Sequence, residues 1–99
     1  MKFRVRYTRS AKREIGAIYE YYQENAPTFA ERWFAGVFEA AATLSEFPFR
    51  CARVPESDDS PEEVRHLLFG SHRILYSVRG RTVFILHVRH SSQQVRTRE

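Results

Sequence analysis

The chain is poor in several residue types: its 99 residues include one cysteine, two lysines, four glycines and four prolines. A lone Cys51 excludes an intrachain disulfide and fits a reducing compartment. No apolar run approaches the roughly 20 residues that a membrane helix needs. Residues 1–10 interleave charges with apolar residues and lack the apolar stretch of a signal peptide. We therefore expect a cytoplasmic protein without a membrane span.

The composition is that of a folding chain with a basic balance. Apolar residues make up 42% and aromatic residues 14%, and the formal net charge is +4. The length predicts a single domain over residues 1–99, with residues 90–99 as a polar tail. The positive charge favours an acidic partner, which is either nucleic acid or an acidic protein surface.

Hydrophobic periodicity predicts one strand followed by two helices. Residues 2–7 alternate apolar and basic side chains, which indicates a half-buried strand with one basic face. Thr8 or Ser10 can cap a helix that continues to about Asn25. Pro27 suits the first turn of a second helix, whose apolar stripe ends near residues 47–48. The short connection between them indicates an antiparallel helical hairpin.

A proline-rich loop and three strands complete the predicted order. The loop spans residues 48–62, and residues 56–63 carry an acidic string. Residues 63–69, 72–78 and 81–88 then form strands joined by turns at Gly70 and Gly80. The order β-α-α-β-β-β predicts an α+β fold. In it, the N-terminal strand and helical hairpin accompany a mainly antiparallel sheet, with the hairpin on one face.

Four stretches carry a family resemblance: AERWFAGVFEAAATLSEFPFRC, EVRHLLFG, SHRILYSV and VFILHVRH, in this order. Together they closely resemble the RelE/ParE superfamily of bacterial toxins from type II toxin–antitoxin systems, also called plasmid-stabilisation proteins. The resemblance covers residues 3–91. It implies a toxin that a cognate antitoxin neutralises in a hetero-oligomer, by wrapping an acidic C-terminal segment over the basic surface and folding on binding.

The last strand is closer to the ParE branch of this superfamily, whose members often end Val-x-His-Gly-x-Arg. Val88 and His90 match that pattern, whereas Ser91 and Gln93 replace the usual glycine and arginine. The resemblance implies a toxin that binds and inhibits DNA gyrase and has no hydrolytic site of its own. The two replacements put its potency in doubt.

Two alternatives stay open. The RelE branch implies a ribosome-dependent mRNA endonuclease, here using Arg65, Arg73 and His90 as catalytic candidates. Arg73 falls where that branch carries an arginine, but no tyrosine follows the last strand and the two lysines, Lys2 and Lys12, lie far from it. The other alternative is a detoxified member that only binds its antitoxin. Whether the protein is an enzyme is left undecided, with the ParE-like function favoured.

Cationic side chains are the candidates for binding a target or the antitoxin, because guanidinium groups suit carboxylates and phosphates. If the strand register brings Arg65 and Arg73 together, they line a groove. Both can instead be solvated or pair with the acidic loop. The full candidate set is Arg65, Arg73, Arg81, Arg89, His90, Arg9 and Arg13.

The spacing of two histidines bears on metal binding. His87 and His90 stand three residues apart on a strand, so they point to opposite faces and cannot share an ion. We expect no metal and no cofactor.

Tyr19, Tyr21 and Tyr22 present more aromatic surface than one sheet face can bury, which makes the excess a candidate docking site for a partner helix.

Overall fold

The structure is a computed structural model that describes residues 2–54 and 61–92. Its elements follow the predicted order. They are strand β1 (Arg4–Tyr7), helix α1 (Arg9–Asn25), helix α2 (Pro27–Ala42), two 3-10 turns (Thr43–Ser45 and Pro48–Arg50), and strands β2 (Arg65–Phe69), β3 (His72–Arg79) and β4 (Thr82–His90). The α+β fold predicted from the sequence is confirmed.

The four strands form one mixed sheet in the order β1-β4-β3-β2. Strands β2, β3 and β4 form an antiparallel meander, and Gly70 and Gly80 take the positive φ angles that its tight turns require. β1 pairs with β4 in parallel. A parallel pair needs a long crossover connection, and the chain between β1 and β4 provides it.

Thr8 fixes the start of α1 against the sheet. Its Oγ1 accepts a hydrogen bond from the amide of Ala11 at 3.1 Å, which caps the helix. The same hydroxyl donates to the carbonyl of Leu86 in β4 at 3.0 Å. Of the two predicted caps, Thr8 is therefore the one used, and it ties the helix to the middle of β4.

The helical hairpin buries one face of the sheet, and the core lies between them. From the helices and the turn after them come Ala11, Ile15, Trp33, Val37, Ala41 and Leu44, and from the strands Ile74, Tyr76, Val83, Ile85 and Val88. A smaller cluster of Val54, Val64 and Leu75, with Leu86 against it, lies on the other side of the sheet. We call that other side the open face.

Two predicted boundaries were wrong. α2 ends at Ala42 rather than near residues 47–48, and the chain continues through two 3-10 turns. His90 was assigned to the polar tail, but it is the last residue of β4, where it pairs with His72. The rest of the tail from residue 93, and residues 55–60 of the predicted acidic loop, lie outside the described residues. No helix in the described part of the chain is long and apolar enough to cross a membrane.

Candidate functional site

The open face of the sheet is rich in arginine. Residues directly opposite on paired strands point to the same side, so the register identifies the members of each face. On β1, Arg4 lies opposite Thr82 and Arg6 opposite Phe84, away from the core residues Val83 and Ile85. On the strands that the structure describes, the same alternation gives the open-face arginines as Arg4, Arg6, Arg73, Arg79 and Arg89.

Arg73 and Arg89 face each other directly across β3 and β4. Like charges in that position destabilise a sheet, by roughly 0.2–1 kcal/mol. Arg73 is 7% exposed, and its Nε donates to Nδ1 of His66 at 3.1 Å. The side chain of Arg89 is half-buried and makes no ion pair or hydrogen bond with any residue the structure describes. Arg73, Arg89 and His66 form the cluster that we call the β3–β4 basic site.

Arg65 does not belong to this site, and the groove predicted between Arg65 and Arg73 does not form. Arg65 lies opposite Tyr76, a core residue, whereas Arg73 lies opposite Leu68, so the two arginines point to opposite faces. The guanidinium of Arg65 donates to the carbonyl of Cys51 at 2.6 Å and pairs with Glu63 at 3.0 Å. Arg65 therefore anchors the segment before β2.

His90 lies on the helix side of the sheet, opposite His72, with the two ring centroids 5.3 Å apart. His72 is 3% exposed and packs against Tyr22 and Trp33. Burial lowers the pKa of His72, and the neighbouring charge of His90 lowers it further. His90 itself is exposed, and its Nδ1 lies 2.7 Å from the hydroxyl of Ser92.

Of the three α1 tyrosines that were predicted to present excess aromatic surface, only Tyr21 is largely exposed. The hydroxyl of Tyr19 donates to Glu31, and Tyr22 is enclosed by Phe29, Trp33 and His72. Tyr21 remains 61% exposed. It borders a shallow cavity of about 370 Å³ whose lining also includes Ala17, Ile18, Tyr22, His72 and His90.

The remaining predicted contact residues lie elsewhere. Arg81 sits in the turn before β4, roughly 25 Å along the strand from Arg89 at about 3.3 Å per residue. Arg9 and Arg13 are exposed on the first turns of α1, which Thr8 holds beside β4. The structure therefore brings Arg73 and Arg89 together and separates the others.

The two histidines of the last strand diverge as predicted. His87 lies opposite Leu75 and His90 lies opposite His72, and these two β3 residues, three positions apart, point to opposite faces. Nδ1 of His87 is 3.1 Å from a carboxylate oxygen of Glu14, and the other oxygen of that carboxylate accepts the amide of Val88. The described residues contain no cluster of three side chains suited to hold a metal ion.

A second surface was missed from the sequence, and it is apolar. Phe47 is 78% exposed and Phe49 is 56% exposed, and with Phe3 they line a cavity of about 400 Å³. Phe47 has φ 52°, a left-handed conformation that non-glycine residues adopt at a cost of about 1–2 kcal/mol. The guanidinium of Arg50 holds this turn by donating to the carbonyls of Thr43, Glu46 and Phe47. The signal in the sequence was Phe-Pro-Phe, since proline cannot continue a helix.

A mixed sheet with β1 parallel to β4, one face covered by a helical hairpin and the other lined by arginines, defines a toxin fold of the RelE/ParE superfamily. Residues 5–95 match the sequence profile of the ParE toxin of type II toxin–antitoxin systems, parDE. The chain therefore belongs to the ParE toxin family, as the resemblance implied. It is a toxin of a type II toxin–antitoxin system.

Two solved structures illustrate the likeness. A chain from the chromosomal ParDE system of P. aeruginosa superposes with a TM-score of 0.74 at 23% identity, covering 90% of this chain and 96% of that one. A chain from the toxin–antitoxin complex RelBE2 of Mycobacterium tuberculosis gives 0.63 at 27% identity, covering 91% and 92%. No curated protein sequence matches the chain.

Proposed function

We propose that this protein is a ParE-like toxin that acts in the cytoplasm by binding and inhibiting DNA gyrase, and that a cognate antitoxin neutralises it. One observation carries this proposal: the three side chains that a nuclease would use do not point to the same side of the sheet. Arg73 points to the open face, whereas Arg65 and His90 point to the helix side.

Divergence matters because metal-free RNA cleavage needs a base, an acid and cations around one phosphate. Arg65 is bound to carbonyls of its own chain and to Glu63. Arg73 and His90 lie on opposite sides of the sheet, so one phosphate cannot contact both directly. These contacts favour a toxin that acts by binding over one that cuts RNA.

The antitoxin is proposed to place carboxylates beside Arg89 in the β3–β4 basic site. Guanidinium–carboxylate hydrogen bonds are charge-assisted and often bidentate, so an acidic segment would remove the repulsion between Arg73 and Arg89. Structural neighbours of this chain come from a ParDE system and a RelBE2 complex, which supports a partner of this kind. A toxin–antitoxin hetero-oligomer is the assembly that we expect.

The test is an assay of supercoiling by purified gyrase beside an assay of translation-dependent mRNA cleavage. We expect the wild-type chain to inhibit supercoiling and leave message intact. Arg89→Ala should weaken inhibition by about tenfold, while Arg81→Ala, at the far end of β4, serves as the matched control. Supercoiling that is unaffected at high toxin excess would refute the gyrase target. Message cleavage that is lost in Arg73→Ala would establish the nuclease instead.

A further inference from the structure

The outer edge of β1 is unpaired over most of its length. β1 is an edge strand, and in a parallel ladder alternate residues direct their backbone groups to the same side. The amides of Arg4 and Thr8 donate to Arg81 and Ile85, so the backbone groups of Arg4, Arg6 and Thr8 face β4. Those of Phe3, Val5 and Tyr7 therefore face outward.

Only the first of these outward residues has a partner within residues 2–54 and 61–92. The amide of Phe3 donates to the carbonyl of Ser45 at 2.8 Å. The outward amides and carbonyls of Val5 and Tyr7 meet no hydrogen-bonding group in the described part of the chain. A row of unpaired backbone groups on an edge strand is a template on which another extended chain can add.

The side chains along this edge define what can add to it. Arg4 and Arg6 are exposed on the open face, and neither makes an ion pair or side-chain hydrogen bond with a described residue. A second copy of β1 would bring arginines against arginines, which is unfavourable across a strand pair. An acidic strand would pair with them instead.

Apolar groups lie on the other side of the same edge. Val5 and Tyr7 are half-buried on the helix face, and Tyr7 packs against Phe38 with ring centroids 5.3 Å apart. At the start of the edge is the 400 Å³ cavity lined in part by Phe3 and Phe49. A chain that adds to β1 would thus meet cations on one face and apolar surface on the other.

We propose that the outer edge of β1 is a strand-addition site for an extended segment of the antitoxin that alternates acidic and apolar side chains. The acidic side chains lie beside Arg4 and Arg6, and the apolar ones lie beside Val5 and Tyr7. The identity of the partner rests on the proposed function, whereas the geometry of the edge does not.

The first test uses the complex of this chain with the antitoxin encoded beside it. Amide hydrogen exchange of Val5 and Tyr7 should slow at least tenfold relative to the free toxin, because strand addition buries both groups in hydrogen bonds. A complex in which both amides exchange at the free rate would overturn the strand addition and leave the proposed function standing. Failure of the complex to form would instead count against the proposed function.

A backbone variant gives the sharper comparison. Val5→Pro removes an outward N–H and leaves the bonds from Arg4 and Arg6 to β4 in place, and proline is tolerated at such edge positions. Val5→Ala is the matched control, since it trims the same side chain and keeps the amide. We expect Val5→Pro to bind antitoxin about tenfold more weakly than Val5→Ala. Equal affinities would contradict the proposal.

Binding of synthetic peptides tests the proposed strand addition without the antitoxin. A synthetic peptide that alternates valine and glutamate should shift the backbone amide signals of Val5 and Tyr7 in NMR spectra. A valine–lysine peptide should leave them unchanged, and the double variant Arg4→Glu, Arg6→Glu should reverse this preference. No shift at millimolar valine–glutamate peptide, or equal shifts with both peptides, would overturn the inference.

Discussion

Arg73 and Arg89 show how one residue pair can conflict with local stability. They lie directly opposite on adjacent strands, and Arg73 is almost fully buried. Their repulsion is partly relieved, because Nε of Arg73 donates to Nδ1 of His66. Within the described residues, however, the side chain of Arg89 meets no carboxylate. A half-buried arginine that meets no carboxylate among the described residues is consistent with an anionic partner.

Arg89→Glu is expected to separate folding from binding. The new carboxylate would lie opposite Arg73 and turn a repulsive cross-strand pair into an attractive one. The free energy of unfolding should rise by about 0.5–1 kcal/mol in chemical denaturation, while affinity for the antitoxin falls at least tenfold. Arg81→Glu, in a turn without an opposing arginine, should change neither by as much. A destabilised Arg89→Glu chain would show that the pair is not repulsive.

The sequence predicted the members of this site but not their arrangement. Alternation along each strand can assign residues to two sides, and Arg73 and Leu75 do lie on the same side of β3, as alternation requires. It cannot say which residue of β2 lies opposite which residue of β3. The observed register pairs Arg65 with Tyr76 rather than bringing it toward Arg73. Register depends on the turn geometry and on packing across strands, which single-strand patterns do not contain.

At the scale of secondary-structure elements, two side chains, Thr8 and Glu14, join α1 to β4. Thr8 accepts from Ala11 within the helix and donates to Leu86 in the sheet. Beyond the end of β1, the outer edge of β4 is met by α1 itself, where Glu14 accepts the amide of Val88. Along residues 86–88 of β4, contacts from Thr8 and Glu14 therefore take the place of a neighbouring strand.

Thr8→Ala should therefore destabilise the protein by about 1–2 kcal/mol. It removes the helix cap, worth about 1 kcal/mol, and leaves the carbonyl of Leu86 without its side-chain donor. Thr8→Ser keeps the hydroxyl and should lose less than half as much. Thermal denaturation of the two variants gives the comparison. Equal losses would mean that the methyl group, and not the hydroxyl, carries the effect.

The order of the elements was predictable because each has a clear period, 3.6 residues in the helices and two in the strands. The neighbours of each strand in the sheet were not predictable, since nothing local to residues 4–7 indicates that they pair with β4. Nor was the irregularity of β4, where Leu75 lies opposite His87 but Tyr76 lies opposite Ile85. Leu86 is the extra residue of a β-bulge. The core positions of β4 are therefore two residues apart from Val83 to Ile85 but three apart from Ile85 to Val88.

At the scale of the whole molecule, the charge is divided between paired and available cations. Arg79 makes a bidentate contact with Glu62 at 2.7 Å and holds the pKa of that carboxyl below its ordinary value. Arg65 pairs with Glu63. In contrast, Arg4, Arg6 and Arg89 meet no carboxylate among the residues described. These three arginines lie on the open face, away from the helical hairpin, which makes that face the candidate binding surface.

Stability should fall as the pH drops from about 7.5 to 5, because His72 is buried as the neutral imidazole. Its folded-state pKa lies below the ordinary value of 6.5, chiefly through burial and secondly through His90. The unfolded chain therefore takes up a proton first, which favours unfolding below about pH 6.5. Denaturation measured across this window should show the decline in wild type and a flatter curve in His72→Phe, which keeps a ring against Tyr22 and Trp33. Glu62, with its lowered pKa, acts only below about pH 4.5, so it leaves this window unchanged. Identical slopes in the two proteins would assign the decline to another group.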